Sequence, residues 1–411
     1  MERRKITYRL YPTATQAALL SDLLRRHKDL WNAALQERID AYQKAAKSIS
    51  YQDQCASLTE IRGELPDDWA TMNCSSQQVT LRRLSKAFDN FFGRIAKGQT
   101  PGFPRFKSIT RMPGFGYKGH GDGWRFTPNI WQRQQQDEVT ERWKHGTLRL
   151  QGVGMIKARG MARQGGTIKS CELLHRHGEW HLSLTVECGD IVREGGRLAI
   201  AADWGTKSLL SMVKSDGTEE VIDNPRWFRA GQGRQIELDR AASRKKRGSH
   251  GWRRAKKAVA RFKSKVARRR LDHHHKLAAT IAGETAIFAT ESLQIKNMTA
   301  SASGTMDTPG KNVAQKGGLN REMLDTAPAH LMQLIAYKVR ETGGLFIEAP
   351  TRTLKPSQRC PQCWAVKKKT LGERVHLCAC GCEMDRDIAS ALVVLKWAMQ
   401  EQVGQELPKA A

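Results

Sequence analysis

Residues 360–387 read CPQCWAVKKKTLGERVHLCACGCEMDRD and hold five of the nine cysteines of this 411-residue chain. Cys360 and Cys363 form a C-x2-C knuckle. After fourteen intervening residues comes a second cluster, Cys378, Cys380 and Cys382. Four thiolates at this spacing suit one structural, tetrahedral Zn2+ that closes a loop too short to bury a core of its own. Scattered chance cysteines or a disulfide pair fit such close spacing less well. Two registers are open for the second pair. Cys378 with Cys380 puts Gly381 directly after the last ligand, where a tight knuckle favours a residue without Cβ. Cys380 with Cys382 is the rival. The first is preferred, so the expected zinc ligands are Cys360, Cys363, Cys378 and Cys380, with Cys382 a spare thiol.

The same stretch ends in Asp385-Arg386-Asp387. Asp387 opens a helical pattern in which Ile388, Leu392, Leu395 and Met399 recur at spacings of four, three and four. A carboxylate at a helix start is usually a cap. The alternative is a metal-binding carboxylate of a nuclease, held by the zinc ribbon beside it. Other carboxylates decide between these readings.

Two are placed to do so. Residues 197–222, RLAIAADWGTKSLLSMVKSDGTEEVI, read as a buried strand ending at Asp203, a turn, a second strand, an Asp216-Gly217 turn and a third strand. Further on, TAIFATESL is a buried strand ending at Glu291. A helix over about 329–342 precedes a strand at 345–349. The order is three strands, helix, strand, helix, strand, ribbon, helix, which is that of an RNase H-like fold. In that fold the ends carrying Asp203, Glu291 and Asp387 converge. Three carboxylates suit two hard divalent cations such as Mg2+, which prefer oxygen ligands. Such a pair activates water and steadies the leaving oxygen of a phosphodiester.

The net charge of +28, from 69 basic and 41 acidic side chains, points to a polyanionic partner. Half of that excess lies in residues 244–270, which carry fourteen Lys or Arg and no acid. There Val259, Phe262 and Val266 form one apolar stripe on a helix otherwise coated with positive charge. Charged faces normally mix signs, so this one reads as a rail along a phosphate backbone. Its expected contacts are Arg253, Arg254, Lys256, Lys257, Arg261, Lys263, Lys265, Arg268 and Arg269. The adjacent His273, His274 and His275 read as polar surface, since neighbours in a helix do not face one site. Residues 299–320 read as a flexible loop.

The first half of the chain has another texture. Ile6, Tyr8 and Leu10 alternate as a short strand. Thr13 and Gln16 are spaced as a capping box, opening a helix with Leu20, Leu24, Trp31, Leu35 and Ile39 on one face. A second helix follows Cys74, with Leu81, Leu84, Phe88 and Phe91 as its stripe. From about 112 to 195 glycines separate short alternating runs. One is a hairpin turning near Gly178, with Leu182, Leu184 and Val186 on one face. These runs, with the first strand, read as a small antiparallel barrel. Cys55, Cys74, Cys171 and Cys188 read as ordinary buried thiols. No apolar run approaches the ~20 residues of a membrane span, and MERRKITYRLYP lacks the apolar stretch of a signal peptide. A reducing cytosol is the expected location, with no membrane partner.

ADWG at 202–205, the strand ending in Glu291, CPQC…CACG and DRD resemble the motifs of the TnpB family, transposon-encoded RNA-guided nucleases related to type V CRISPR effectors. The resemblance extends to YRLYPTATQ, LSKAFDNFF, GFPRFKS and the HHK that ends the basic helix. It implies an α+β multidomain protein with four parts. These are a WED-like β-barrel over 1–11 and 111–195, a helical REC-like domain over 12–110, a RuvC-like nuclease over 196–355 and 385–411, and a zinc-ribbon insertion over 356–384. It further implies a guide RNA, a target DNA with a short adjacent motif, Asp203, Glu291 and Asp387 as catalytic carboxylates, and a prokaryotic cytosol near the nucleoid. Two departures stand out. The second knuckle is C-x-C rather than C-x2-C, and Ala389 stands where the family commonly has asparagine. Other readings are a miniature type V CRISPR effector, an RNA-guided regulator that does not cut, or a zinc-ribbon DNA-binding protein or transposase. The absence of a repeated finger or heptad zipper argues against direct reading of a long site.

Overall fold

The computed structural model describes residues 2–135, 138–162, 164–189, 194–305, 307–370 and 372–403. Parts of the expected segments, at 190–193 and 404–411, lie outside these. The chain forms two compact units, Met1–Asp190 and Ile191–Ala411.

The first unit opens with β1 (Glu2–Tyr11) and α1 (Ala14–Ala45). The capping box is present: Thr13 Oγ1 accepts from the Gln16 N–H at 3.2 Å, and Gln16 Oε1 accepts from the Thr13 N–H at 3.0 Å. Then come α2 (Tyr51–Glu64) and α3 (Cys74–Ala96). Six strands follow: β2 (Gly114–Tyr117), β3 (Trp124–Gln135), β4 (Glu138–Leu150), β5 (Gly154–Ala162), β6 (Thr167–Arg176) and β7 (Glu179–Cys188). With β1 they make a seven-stranded antiparallel sheet in the order β2-β6-β7-β1-β5-β4-β3. The first strand therefore sits at the sheet's centre. Among the described residues the end strands β2 and β3 do not pair with each other, so the expected barrel is not closed by hydrogen bonds there. The β6–β7 turn falls on His177 and Gly178, both at positive φ (54° and 75°), as a two-residue hairpin of this hand requires.

One helix serves two cores. Leu20 and Leu24 of α1 join Tyr8, Phe126, Leu182, Leu184 and Val186 in the core of the sheet. Leu30, Trp31 and Leu35 of the same helix pack with Leu58, Leu81 and Leu84 in a helical core. On α3, Phe88 and Phe91 are only partly buried, so the buried stripe is shorter than its sequence pattern.

The second unit begins with β8 (Leu198–Trp204), β9 (Ser208–Lys214) and β10 (Glu219–Asp223). Next are α4 (Trp227–Ala230), α5 (Gln232–Ser243), the long α6 (His250–Glu284) and β11 (Thr285–Glu291). They are followed by α7 (Ile295–Met298), α8 (Val313–Thr326), α9 (Pro328–Glu341), β12 (Leu345–Ala349) and α10 (Thr351–Leu354). The ribbon hairpin β13 (Val375–Leu377) and β14 (Glu383–Asp385) leads into α11 (Arg386–Val403). The sheet order is β10-β9-β8-β11-β12, with β8, β11 and β12 parallel and the other pairs antiparallel. This is the RNase H-like order expected.

Period-two alternation assigns the faces of this sheet. Ile200, Ala202, Leu210, Met212 and Phe288 pack with Ala278 and Ile281 of α6 and Leu331 and Ile335 of α9. Ala199, Ala201, Ala289 and Ala349 pack on the other face with Ile388, Ala391, Val394, Leu395 and Ala398 of α11. Four alanines in that layer keep the strand surface low, so the helix can approach closely.

Three expectations need correction. Residues 299–320 are not one flexible loop, because α8 begins at Val313. The Lys316 and Asn320 side chains donate to Met298 O (2.6 Å) and Thr299 O (3.0 Å), holding the helix despite Gly317 and Gly318. His274 is not polar surface; it is 0% exposed and packs against Trp227 and His330. Successive helical residues lie about 100° apart, so one member of a histidine triplet can turn inward. Met399 is 43% exposed, and Ala398 takes the buried position instead.

Candidate active site and cysteine cluster

Asp203 continues the alternation of Ala199 and Ala201, and Glu291 continues that of Ala289. Both carboxylates therefore face the side of the sheet that α11 covers. Their strands are neighbours: β8 and β11 are parallel, with Thr290 opposite Ala202. Glu291 and Asp203 are the residues that directly follow this pair on the two strands. Thr290 Oγ1 donates to Ala202 O at 3.1 Å and ties the two strand ends together just before the carboxylates.

The third carboxylate arrives with α11. Asp385 Oδ1 accepts from the N–H groups of Asp387 (2.8 Å) and Ile388 (3.2 Å). The cap of this helix is thus Asp385, an assignment that sequence reasoning missed although Asp before an apolar run is itself an N-cap signal. Asp387 sits in the first turn.

Electrostatics mark these groups as a cluster. Burial pushes the Asp203 carboxyl well above its usual range, and repulsion from Glu291 and Asp387 pushes it further; Arg386 and Ser390 act in the opposite direction. Burial raises Glu291 as well, with Ser390 again opposing. Ser390 is 0% exposed, and its hydroxyl makes no hydrogen bond of good geometry. Nothing in the sequence pattern singled it out. Crowded carboxylates that resist ionising are relieved by a hard cation, and all three donors are oxygens, so the set fits Mg2+ chemistry. The three are spread more widely than a single-ion cage. Among the described residues, the groups of three or more ligand atoms within 4.8 Å of one another are built on cysteine.

Cys360, Cys363, Cys378 and Cys380 form one such group, with Cys360 Sγ 3.6 Å from Cys380 Sγ and Cys363 Sγ 3.5 Å from Cys378 Sγ. A tetrahedron with Zn–S of about 2.3 Å has edges of about 3.8 Å, so the cage fits zinc. Gly381 adopts φ +84° and donates its N–H to Cys378 O at 3.0 Å, the tight turn that its position demanded. Burial raises the Cys360 thiol, but the N–H groups of Cys363 and Gln362 outweigh it, with help from His376 and Cys380, and the pKa falls to about 5. A second group joins Cys360 to His376 and Cys382. His376 was not anticipated; it is 1% exposed and its Nδ1 bonds to Lys369 Nζ.

The ribbon holds the start of α11. Val375 pairs with Asp385, the Arg386 guanidinium donates to Thr370 O (3.0 Å) and Glu373 O (3.2 Å), and Lys396 Nζ donates to Pro361 O (2.8 Å). Closing the cysteine cage thereby fixes the element that carries Asp387. On α6, all nine basic residues named from sequence are exposed, while Val259 is buried. Among the described residues no helix is long and apolar enough to cross a membrane.

Three family models match. Residues 183–302 match OrfB_IS605, described as "Probable transposase", and residues 329–394 match the "Cas12f1-like, TNB domain". Residues 1–47 match a model described as "Helix-turn-helix domain", although here they form β1 and one long helix. A protein of Escherichia coli K12 named "Putative RNA-guided DNA endonuclease InsQ" is 27% identical over 365 residues, covering 88% of this chain and 83% of that protein. A "Putative RNA-guided DNA endonuclease" of Streptomyces pristinaespiralis is 27% identical over 404 residues, covering 96% and 89%. These matches are of the kind the TnpB motifs in the sequence imply: transposase-type models and relatives named as RNA-guided DNA endonucleases. Among solved structures, a Cas12f1 chain in complex with sgRNA and target DNA matches at 12% identity and a TM-score of 0.47, covering 96% of this chain and 98% of that one. The TnpB motifs quoted from the sequence fall on β8, β11, the ribbon and α11.

Proposed function

We infer that this protein is an RNA-guided DNA endonuclease that hydrolyses phosphodiesters at Asp203, Glu291 and Asp387 with Mg2+. The observation that carries the reading is the placement of Asp203 and Glu291 side by side on the sheet face covered by α11. Two relatives named as RNA-guided DNA endonucleases and matched along most of their length support the guide and the DNA target. Cations bound there would activate the attacking water and stabilise the leaving 3′ oxygen. The chain's own part is to hold three carboxylates on stiff elements, capped by Asp385 and braced by the ribbon. Cys360, Cys363, Cys378 and Cys380 would hold one structural Zn2+ in that brace. The first unit would supply the helical and β-sheet surfaces that grip RNA, and α6 would follow a phosphate backbone. An RNA-guided regulator without cleavage would have no use for three crowded carboxylates whose repulsion is left in place.

The test uses RNA that co-purifies with the protein. Once the RNA is sequenced, its targeting segment is replaced and matched DNA is supplied with Mg2+. Cleavage should follow the new segment. An unchanged cut site, or sequence-specific cutting by RNA-free protein, would rule this reading out.

A further inference from the structure

The helices of the first unit enclose a cavity of about 840 Å³ that neither the carboxylates nor the zinc cage explains. It lies between the C-terminal part of α1, the start of α2 and the middle of α3. Its walls include Arg38, Tyr42, Tyr51, Arg82, Phe88 and Phe92. The volume falls in the range of about 300 to 1,000 Å³ that takes small-molecule ligands.

The chemistry of the walls is specific. Phe103 also lines the cavity and stands edge-on to Phe88 (5.6 Å, 89°) and Phe91 (5.3 Å, 85°). These rings brace one another. Tyr42 is 69% exposed, Phe92 60% and Phe103 48%. Aromatic surface left in water at one place marks a binding face more often than an accident. Arg38 lies over the Phe88 ring at 5.1 Å and Arg82 over the Tyr51 ring at 5.2 Å. Arg38 Nε donates to Gln54 at 2.9 Å, yet its Nη2 is buried and has no partner. A buried guanidinium N–H without an acceptor is costly and invites an anionic one. The lining holds three basic residues, Arg38, Lys47 and Arg82, against the single acid Asp89.

Aromatic rings beside guanidinium groups are the two halves of a single-stranded nucleotide site: the base takes the ring and the phosphate takes the guanidinium. We propose that this cavity binds an unstacked nucleotide of single-stranded RNA, with its base against Phe92 or Tyr42 and its phosphate at Arg38 or Arg82. Proteins read RNA chiefly at loops, bulges and ends, where bases are splayed and free to stack. A DNA strand displaced by a guide is single-stranded too, so a DNA probe of matched sequence is what separates it from RNA. A second copy of this chain is disfavoured, because it would set two basic patches face to face. The choice of RNA rests on the RNA-guided reading above.

The full-length protein, freed of RNA, is tested with a four-nucleotide 5-iodouridine RNA and with the DNA of the same sequence. The α6 rail of 35 residues spans about 50 Å, so so short a probe cannot exploit its length. Photo-adducts should map to Tyr42, Phe88, Phe92 or Phe103. Tyr42→Ala and Phe92→Ala remove rings already largely in water, so the fold is retained. Each should lower RNA affinity about tenfold, the size of one lost stacking contact, and affect DNA binding less. Adducts lying wholly outside these helices, unchanged affinity in both variants, or equal loss for DNA overturn the proposal. So does an RNA-free dimer that Phe92→Ala turns into a monomer, which would make the face an interface between copies. Guided cleavage by the wild-type protein is measured alongside. If cleavage is guided but the cavity is silent, only this inference falls. If the cavity takes RNA but no guide directs cleavage, the nuclease reading falls and the RNA site stands.

Discussion

Asp385 Oδ1 accepts the Asp387 N–H at 2.8 Å, so the residue that caps α11 lies two positions before the residue proposed to hold the metal. The two aspartates of the DRD triplet are thereby separable by mutation. Asp387→Ala should reduce Mg2+-dependent cleavage to background while guided DNA binding persists, and Asp203→Ala and Glu291→Ala should do the same. Asp385→Ala should cost about 1 kcal/mol of stability through loss of the cap and leave measurable cleavage. Cleavage time courses and gel-shift titrations on the same preparations check both halves. Wild-type cutting by Asp387→Ala would return that residue to a structural role.

Ser390 offers a finer test. Its hydroxyl is buried, has no partner of good geometry and lowers both Asp203 and Glu291. Ser390→Ala removes a buried polar group that is already unsatisfied, so melting temperature should hold or rise. The Mg2+ concentration for half-maximal cleavage should rise by about tenfold, as for other groups that steady metal ligands. An unchanged Mg2+ requirement would show that the hydroxyl does nothing for the carboxylates.

The cysteine cage predicts one Zn2+ per chain by elemental analysis. Cys360→Ser should lose it and also depress cleavage, because the ribbon hairpin runs directly into the start of α11. Cys382→Ser should keep it. Zinc lost from Cys382→Ser but retained in Cys378→Ser would place the site on the rival pair, near His376.

What was legible in the sequence followed from burial pattern. The strands ending at Asp203 and Glu291 are mostly apolar because they are covered on both faces, and the carboxylates stand at their ends. The Thr13/Gln16 box was readable because both partners are local. By contrast, α2 packs only the short set Tyr51, Cys55 and Leu58 on the helical core and was missed, although Ser50 and Asp53 form a capping box at its start. The helix from Val313 was hidden by two glycines and is held by side-chain bonds to a distant segment. His274 looked like surface because its partners, Trp227 and His330, come from other elements. Long-range contacts of this kind leave no periodic trace.

His27 sets an acid limit on the first unit. It is 1% exposed, with Nδ1 2.8 Å from Thr80 Oγ1 and Nε2 3.1 Å from Ser76 Oγ. Burial, with a smaller push from Arg83, lowers its pKa from 6.5 to about 3. The unfolded chain therefore binds the proton first as pH falls. The stability contribution is complete above about 6.5 and is lost progressively as pH drops toward about 3. Urea midpoints measured across that window should fall for the wild type and stay flatter for His27→Gln. Parallel curves would mean that another group controls acid sensitivity.

The exposed face of α6 makes the last prediction quantitative. Lys256, Lys257 and Lys263 are all exposed there, while Val259 is buried. Phosphate contacts release condensed counterions, so each one adds about 0.9 to the slope of log affinity against log salt on duplex DNA and about 0.7 on single strands. Replacing all three lysines with glutamine removes charge without opening a core, so the melting temperature should hold. If all three contact phosphate in the guide-bound complex, the slope should fall by about 2 to 3. The loss should be alike for every target sequence, because backbone contacts fix position and carry no base information. Cleavage at low salt should then approach that of the wild type. A triple variant with an unchanged salt slope would move the nucleic acid off α6. One whose binding changes for some target sequences and not others would mean that these lysines read bases rather than follow a backbone.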